Sequence, residues 1–308
     1  MKTSSESGSS PTSGRPGHSL EGFLRLVQLA DPTLVVMVEG RQVDANFFGR
    51  VCEEVCNLRG TTYEIYTSDS IGGGGKPRLL ALFERLRAIG GLDTITGGKR
   101  TAFLFFMDRD SDHFFGRLLS SAHINYTQHY CVENDLFLHG DLVTAIAAAA
   151  SVDRRKLNKL LGTRPGLFQE ISARLRRWVV LCLLSEHLGV HHRVRYHTVP
   201  EFDFDEERAE VALGEIADLA GISRSVARAQ HDTLRDKVLE LEAGGRIDTV
   251  LKGKWYPYMF DQLLRERLHG TNWQSAKFPQ RLTAALLASL DFGAPWADVY
   301  RAGVARLL

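Results

Sequence analysis

The chain has little cysteine and no long apolar run. Its four cysteines, Cys52, Cys56, Cys131 and Cys182, are too few and too scattered for a disulfide framework. Cys52 and Cys56 are i, i+4 neighbours on one helix face. Neither Cys131 nor Cys182 has a second ligand at zinc spacing, so no zinc site is read there. Apolar runs such as Phe103–Met107 and Val179–Leu184 fall far below the roughly 20 residues of a membrane helix. No basic start leads into an apolar stretch, so no signal peptide is expected. These absences point to a reduced, soluble, cytoplasmic protein with no membrane partner.

A net charge of either sign is also missing, since 38 Lys and Arg face 37 Asp and Glu. The balance hides local asymmetry. Arg154–Arg195 holds ten basic residues against Glu170 and Glu186 alone, and Glu201–Asp218 holds eight acids against Arg208 alone. A strongly basic stretch thus runs directly into a strongly acidic one.

What is present is ordinary globular material, 308 residues with 44% hydrophobic and 24% charged. That length suggests two packed units. Residues 1–18 are mostly Ser, Thr, Gly and Pro and read as a disordered tail. Leu34–Val38, Tyr63–Tyr66 and Thr101–Met107 read as strands, with Ile124–Thr127 a candidate fourth. Helical spacing follows Val43 and Leu79, and Asp135–Ala150 is alanine-rich and helical. Continuous apolar strands alternating with helices predict an α/β domain, a mostly parallel sheet covered on both faces, over residues 19–140. From residue 141 to 308 the pattern is helical only. Helices are expected at Phe168–Leu188, Glu206–Leu219, Ser223–Leu241, Trp255–Leu268 and Pro279–Leu290, with His191–Val199 a short extended link. This half would bind substrate or a partner.

Chemistry gathers at strand ends. Asp108, Asp110 and Asp112 alternate directly after a buried strand. In an extended segment they would point the same way, and like charges that close repel unless a cation separates them. Hard divalent ions take such oxygen ligands. The alternative is a solvated turn. Glu39 ends the first strand in the same way, with Gly40 beside it; the alternative there is an acid favoured by a helix N-terminus. Asp44 follows one turn later. Glu133 lies past the candidate fourth strand, where capping the next helix is the competing role. The loop Gly72–Gly75 leads to Lys76, a group suited to a phosphate oxygen. It is not a nucleotide-hydrolysing loop, because Ser70 and Pro77 stand where glycine and Ser/Thr would be needed.

Val38–Phe48 (VEGRQVDANFF), Gly74-Gly75-Lys76, Phe105–Asp112 (FFMDRDSD) and Tyr130–Phe137 (YCVENDLF), in that order, resemble the Toprim domain. The likeness is to stand-alone Toprim proteins related to OLD-family nucleases, a circle that includes the Toprim effector of the PARIS anti-phage defence system. It covers about residues 33–140 and extends weakly to Leu251–Tyr258 (LKGKWYPY), which resembles a Gly-Lys motif of the helical half. The resemblance implies a metal-dependent endonuclease, a hydrolase using Mg²⁺ or Mn²⁺. Glu39 matches a metal ligand or general acid/base. Asp108, Asp110 and Asp112 match metal-holding aspartates, Gly74, Gly75 and Lys76 the GGK loop, and Glu133 with Asn134 the acidic-Asn pair. Asp44 departs from the pattern, following Glu39 by five residues where relatives have four. The resemblance further implies an ABC-type ATPase partner that restrains a toxic activity, RNA and above all tRNA as substrate, and a homodimer as one form open to the active protein.

Among the basic residues, Arg174, Arg177, Arg193 and Arg195 are candidate nucleic-acid contacts; the alternative is solvated helix faces balanced by the acids of 201–218. Tyr196, His191, His192 and His197 could stack on unpaired bases or simply line a loop. Glu215–Leu234 has helix-turn-helix spacing at Ala217 and Gly221, against an ordinary helical hairpin. Beside the nuclease reading stand an OLD-like DNA nuclease, a non-catalytic DNA-binding regulator using 215–234, and, more weakly, a primase or topoisomerase activity.

Overall fold

The computed structural model describes residues 18–268 and 277–308; the tail expected at 1–18 lies outside them except for His18. The order is α1 (Leu20–Ala30), β1 (Leu34–Val38), α2 (Val43–Arg59), β2 (Tyr63–Thr67), α3 (Gly75–Ala88), β3 (Asp93–Thr96), β4 (Lys99–Met107) and β5 (Ile124–Tyr126). Helices α4 (Val132–His139), α5 (Leu142–Ala150), α6 (Arg154–Leu161), α7 (Arg164–His187), α8 (Glu206–Ala220) and α9 (Arg224–Ala243) follow. The last three are α10 (Tyr256–Arg267), α11 (Phe278–Ser289) and α12 (Asp298–Leu307). The protein is α/β, with a helical C-terminal part.

The sheet runs β2-β1-β4-β3, with β5 also on β4. β1 pairs in parallel with β2 and β4, and β4 in parallel with β5. β3 is antiparallel to the start of β4 and was missed in the sequence, because its four residues carry no apolar run. β1 and β4 separate two cores by the period of two. Leu34, Val36, Val38, Ala102, Leu104 and Phe106 face α2 and the C-terminal helices. Val35, Met37, Phe103, Phe105 and Met107 face a core that includes Phe23 of α1 and Leu79 and Phe83 of α3.

The change in pattern near residue 140 is not a change of core. One apolar cluster runs from β1 through α12. Tyr300 of α12 packs edge-on against Phe47 and Phe48 of α2. The Asp135–Ala150 stretch is two helices, broken where Asp141 caps α5 by accepting from the Thr144 amide. A Cβ on Gly140 at that break would meet Leu136 O at 2.7 Å.

Among the described residues, no helix is long and apolar enough to cross a membrane.

Candidate functional site

Parallel pairing puts the carboxyl ends of β1, β2, β4 and β5 at one edge, where open α/β sheets bind ligands. The next residue along is polar each time: Glu39, Ser68, Asp108 and Thr127. Two of these are scaffolding. Ser68 donates to Glu39 O at 2.9 Å and accepts from the Gly75 amide at 2.9 Å. Thr127 accepts from the Arg109 amide and donates to His129 O, each at 2.8 Å. The Asp108 amide donates to Glu39 Oε1 at 3.0 Å, which orients the glutamate. Asp44, at the start of α2, accepts from the Gly40 amide at 2.7 Å. Gly40 leaves room for this, since a Cβ there would lie 2.9 Å from Asp44 Oδ2. The five-residue spacing from Glu39 therefore still delivers Asp44 to the site.

Four of the six acids divide between two lysines. Lys76 is buried and pairs with Asp110 at 3.1 Å and Asp112 at 2.6 Å, while donating to Asp108 O at 2.6 Å. Lys254, which comes from the helical half, stands 3.7 Å from Asp108 Oδ2 and 3.8 Å from Glu133 Oε1. The expected extended run from Asp108 to Asp112 does not form. Asp110 takes a left-handed φ of 50°, a conformation aspartate tolerates better than most residues. A turn follows, with the Phe114 amide bonding to Ser111 O. The kink aims Asp108 at Lys254 and Asp110 and Asp112 at Lys76.

Burial and mutual repulsion dominate the electrostatics. Burial, then Asp110, push Glu39 up to about 7, against the bond from the Asp108 amide and the charge of Lys76. Burial and Glu133 raise Asp44. Burial, Asp44, Glu39 and Glu133 raise Asp108 well above the carboxylate range, with Lys254 opposing. Glu133, chief among its acidic neighbours, overcomes burial and holds Lys254 far above an ordinary lysine. Burial works against the Lys76 ammonium too, but Asp110 and Asp112 prevail and raise it.

Among the described residues, no three His, Cys, Asp or Glu side chains are grouped so as to hold a metal ion. The donors nonetheless fit a hard divalent cation in kind. They are buried carboxylates that resist ionising together, and Glu133 Oε2 is buried with no hydrogen-bond partner among the described residues. Glu133 does not cap α4. Asn134 does so, its Oδ1 accepting from the Cys131 amide.

Asn134 also accounts for Lys254. Its side chain donates to Leu251 O at 2.9 Å and accepts from the Gly253 amide at 3.0 Å, pinning that segment to the start of α4. Only glycine fits the contact, because a Cβ on Gly253 would lie 2.4 Å from Asn134 N. The sequence signal for Lys254 was the weak Gly-Lys motif; no signal marked Asn134 as its anchor.

Other candidates move. Gly75 begins α3, its amide donates to Ser68 Oγ, and Lys76 is paired with Asp112. Three of the four arginines are paired internally. Arg174 meets Glu170 and Glu266, Arg177 meets Glu206, and Arg193 approaches Glu201 and Glu215. The acidic stretch thus folds against the basic one. Arg195 instead lines a cavity with Asp110 and Asp112. Tyr196 is buried, stacked on Tyr130 and Trp255, and offers no face to a base. In 215–234, Arg228 bonds Glu210 and Arg224 lies on Gly214. Both contacts run between α8 and α9, which follow each other across Gly221–Ser223.

Comparison of the chain with protein-family models, with curated proteins and with solved structures gives no match.

Proposed function

We propose that the chain is a metal-dependent nuclease that hydrolyses phosphodiester bonds in nucleic acid. The observation that carries this reading is Glu39. It is oriented by the Asp108 amide, pushed up to about 7, and set among Asp44, Asp108 and Glu133 at the carboxyl edge of the sheet. In the metal-free protein a group with that value exchanges a proton near neutral pH, as a general base must.

Asp108 and Glu133, the acids that Lys254 faces in this structure, would hold Mg²⁺ or Mn²⁺ and leave Glu39 as the base. Such an ion supplies charge neutralisation at the phosphate and a more acidic water. Glu39 takes the proton from the attacking water as its oxygen bonds to phosphorus. The ester P–O bond then breaks, and the leaving oxygen takes a proton from solvent. Lys254 and Lys76 keep the acids from repelling the phosphate outright. The Toprim resemblance supports the remaining parts of the reading: an RNA substrate, tRNA above all, a role as effector of an anti-phage defence system, and restraint by an ABC-type ATPase partner.

The test is incubation of labelled RNA and DNA with Mg²⁺ or Mn²⁺, with EDTA, and with Glu39→Gln. Metal-dependent cleavage lost in both controls is expected; cleavage that survives either control refutes the mechanism. Breaks in DNA alone would favour the OLD-like DNA nuclease.

A further inference from the structure

Two cavities touch the acidic centre at different acids. The larger, about 610 Å³, reaches Glu133 and Lys254. The smaller, about 390 Å³, reaches Asp110 and Asp112. Tyr196, His197 and Lys252 line both and form the ridge between them. The ridge is fixed. Lys252 Nζ donates to Tyr196 O at 3.0 Å, Tyr196 is clamped between two rings, and its hydroxyl donates to Val250 O at 3.1 Å. His197 is exposed.

We infer that each cavity takes one base of the cleaved step, so that the two nucleotides flanking the scissile phosphate are splayed apart over this ridge. The inference rests on the nuclease reading and names the substrate class of that same site: an unpaired strand. One cavity touches Glu133 and the other Asp110 and Asp112, so the two nucleosides flanking a phosphate held at these acids have one cavity each. Both volumes fall in the range of small-ligand pockets. Stacked bases are about 3.4 Å apart along a strand, leaving no space for a packed side-chain ridge between them. A duplex would have to unpair and unstack at this step, whereas a single strand or loop meets the site with less to undo.

The larger cavity has the chemistry of a base site. Tyr258 and Pro257 give it flat apolar wall, and Gln42 and Gln280 edge it with carboxamides. Neither of these glutamine side chains has a partner among the described residues. Carboxamides beside an apolar wall match base edges and base faces. The smaller cavity carries Arg195 and His191, suited to the next nucleotide and its phosphate.

The experiment compares one oligonucleotide, unpaired and in duplex, with Mn²⁺. It includes Ala284→Trp, which fills the larger cavity from an exposed position on α11, and Gln280→Ala. Anisotropy of the labelled unpaired strand in EDTA is measured alongside. The unpaired strand should be cut at least about tenfold faster in kcat/KM. Ala284→Trp should weaken both cutting and binding at least about fivefold with an unchanged melting temperature. Duplex cut as fast as single strand, or strand binding indifferent to both variants, overturns the inference. Binding weakened by Ala284→Trp without any cleavage would refute the nuclease and keep the two-cavity site. Cleavage indifferent to both variants would do the reverse.

Discussion

The Asp108 amide donates to Glu39 Oε1 at 3.0 Å, so the end of β4 orients the carboxylate that ends β1. The two strands are hydrogen-bonded neighbours in parallel register, with Met37 opposite Phe105. Sheet geometry therefore sets the distance between the two acids, and no flexible loop intervenes.

Glu39→Gln keeps the shape and an acceptor for that amide but cannot take a proton. Cleavage should fall by about 10²–10⁴, the usual contribution of a general base, while circular dichroism stays that of the parent. Activity within about twofold of the parent would remove Glu39 from the chemistry.

Stability of the metal-free protein should fall as pH rises from about 4.5 to 7. Between its ordinary value of 4.5 and its folded value of about 7, Glu39 carries a proton in the folded state that the unfolded chain has lost. Rising pH then favours unfolding, by up to roughly 3 kcal/mol from this group. Asp44 and Asp108, also raised, act in the same direction. Melting in EDTA across pH 4.5–8 checks the sign, and Glu39→Gln should flatten the curve. Added Mn²⁺ should restore stability most at the high-pH end, where the ligands are ionised.

Lys254→Met removes an ammonium that stands against Asp108 and Glu133. The metal-free variant should melt lower at pH 8 and bind Mn²⁺ more tightly, because the ion no longer competes with a resident cation. Calorimetric titration reads the affinity; weaker Mn²⁺ binding would show that the lysine does not share the ion's place.

Gly253→Ala drives a Cβ into the backbone at Asn134, so the segment carrying Lys254 must shift. A loss of several kcal/mol in urea unfolding is expected, within the range of overpacking and broken buried bonds. Gly245→Ala, at an open turn with positive φ, should lose only about 1 kcal/mol.

All four thiols are buried, and burial raises each. A thiol reagent should label none of them until the protein is denatured. Rapid labelling of the native protein at Cys52 or Cys56 would contradict their place on the buried face of α2.

The sequence by itself determined the parallel sheet and most of the acidic edge. Leu34–Val38 and Ala102–Met107 have no polar position, and only a strand covered on both faces can use such a run. An acid directly after each is fixed to the sheet edge by chain continuity, so Glu39 and Asp108 were legible. Tertiary structure decided what neutralises them. Asp110 turned left-handed and parted from Asp108, a local choice that alternation in the sequence does not reveal. Lys254 arrives from far along the chain, held by an Asn134–Gly253 contact that no local pattern encodes. The basic stretch looked free because the acids of Glu201–Asp218 are remote in sequence; folding laid several of them against Arg177 and Arg193. Periodicity reports which face of an element is buried, but it is silent on which element supplies the partner, and at this site the partner sets the charge.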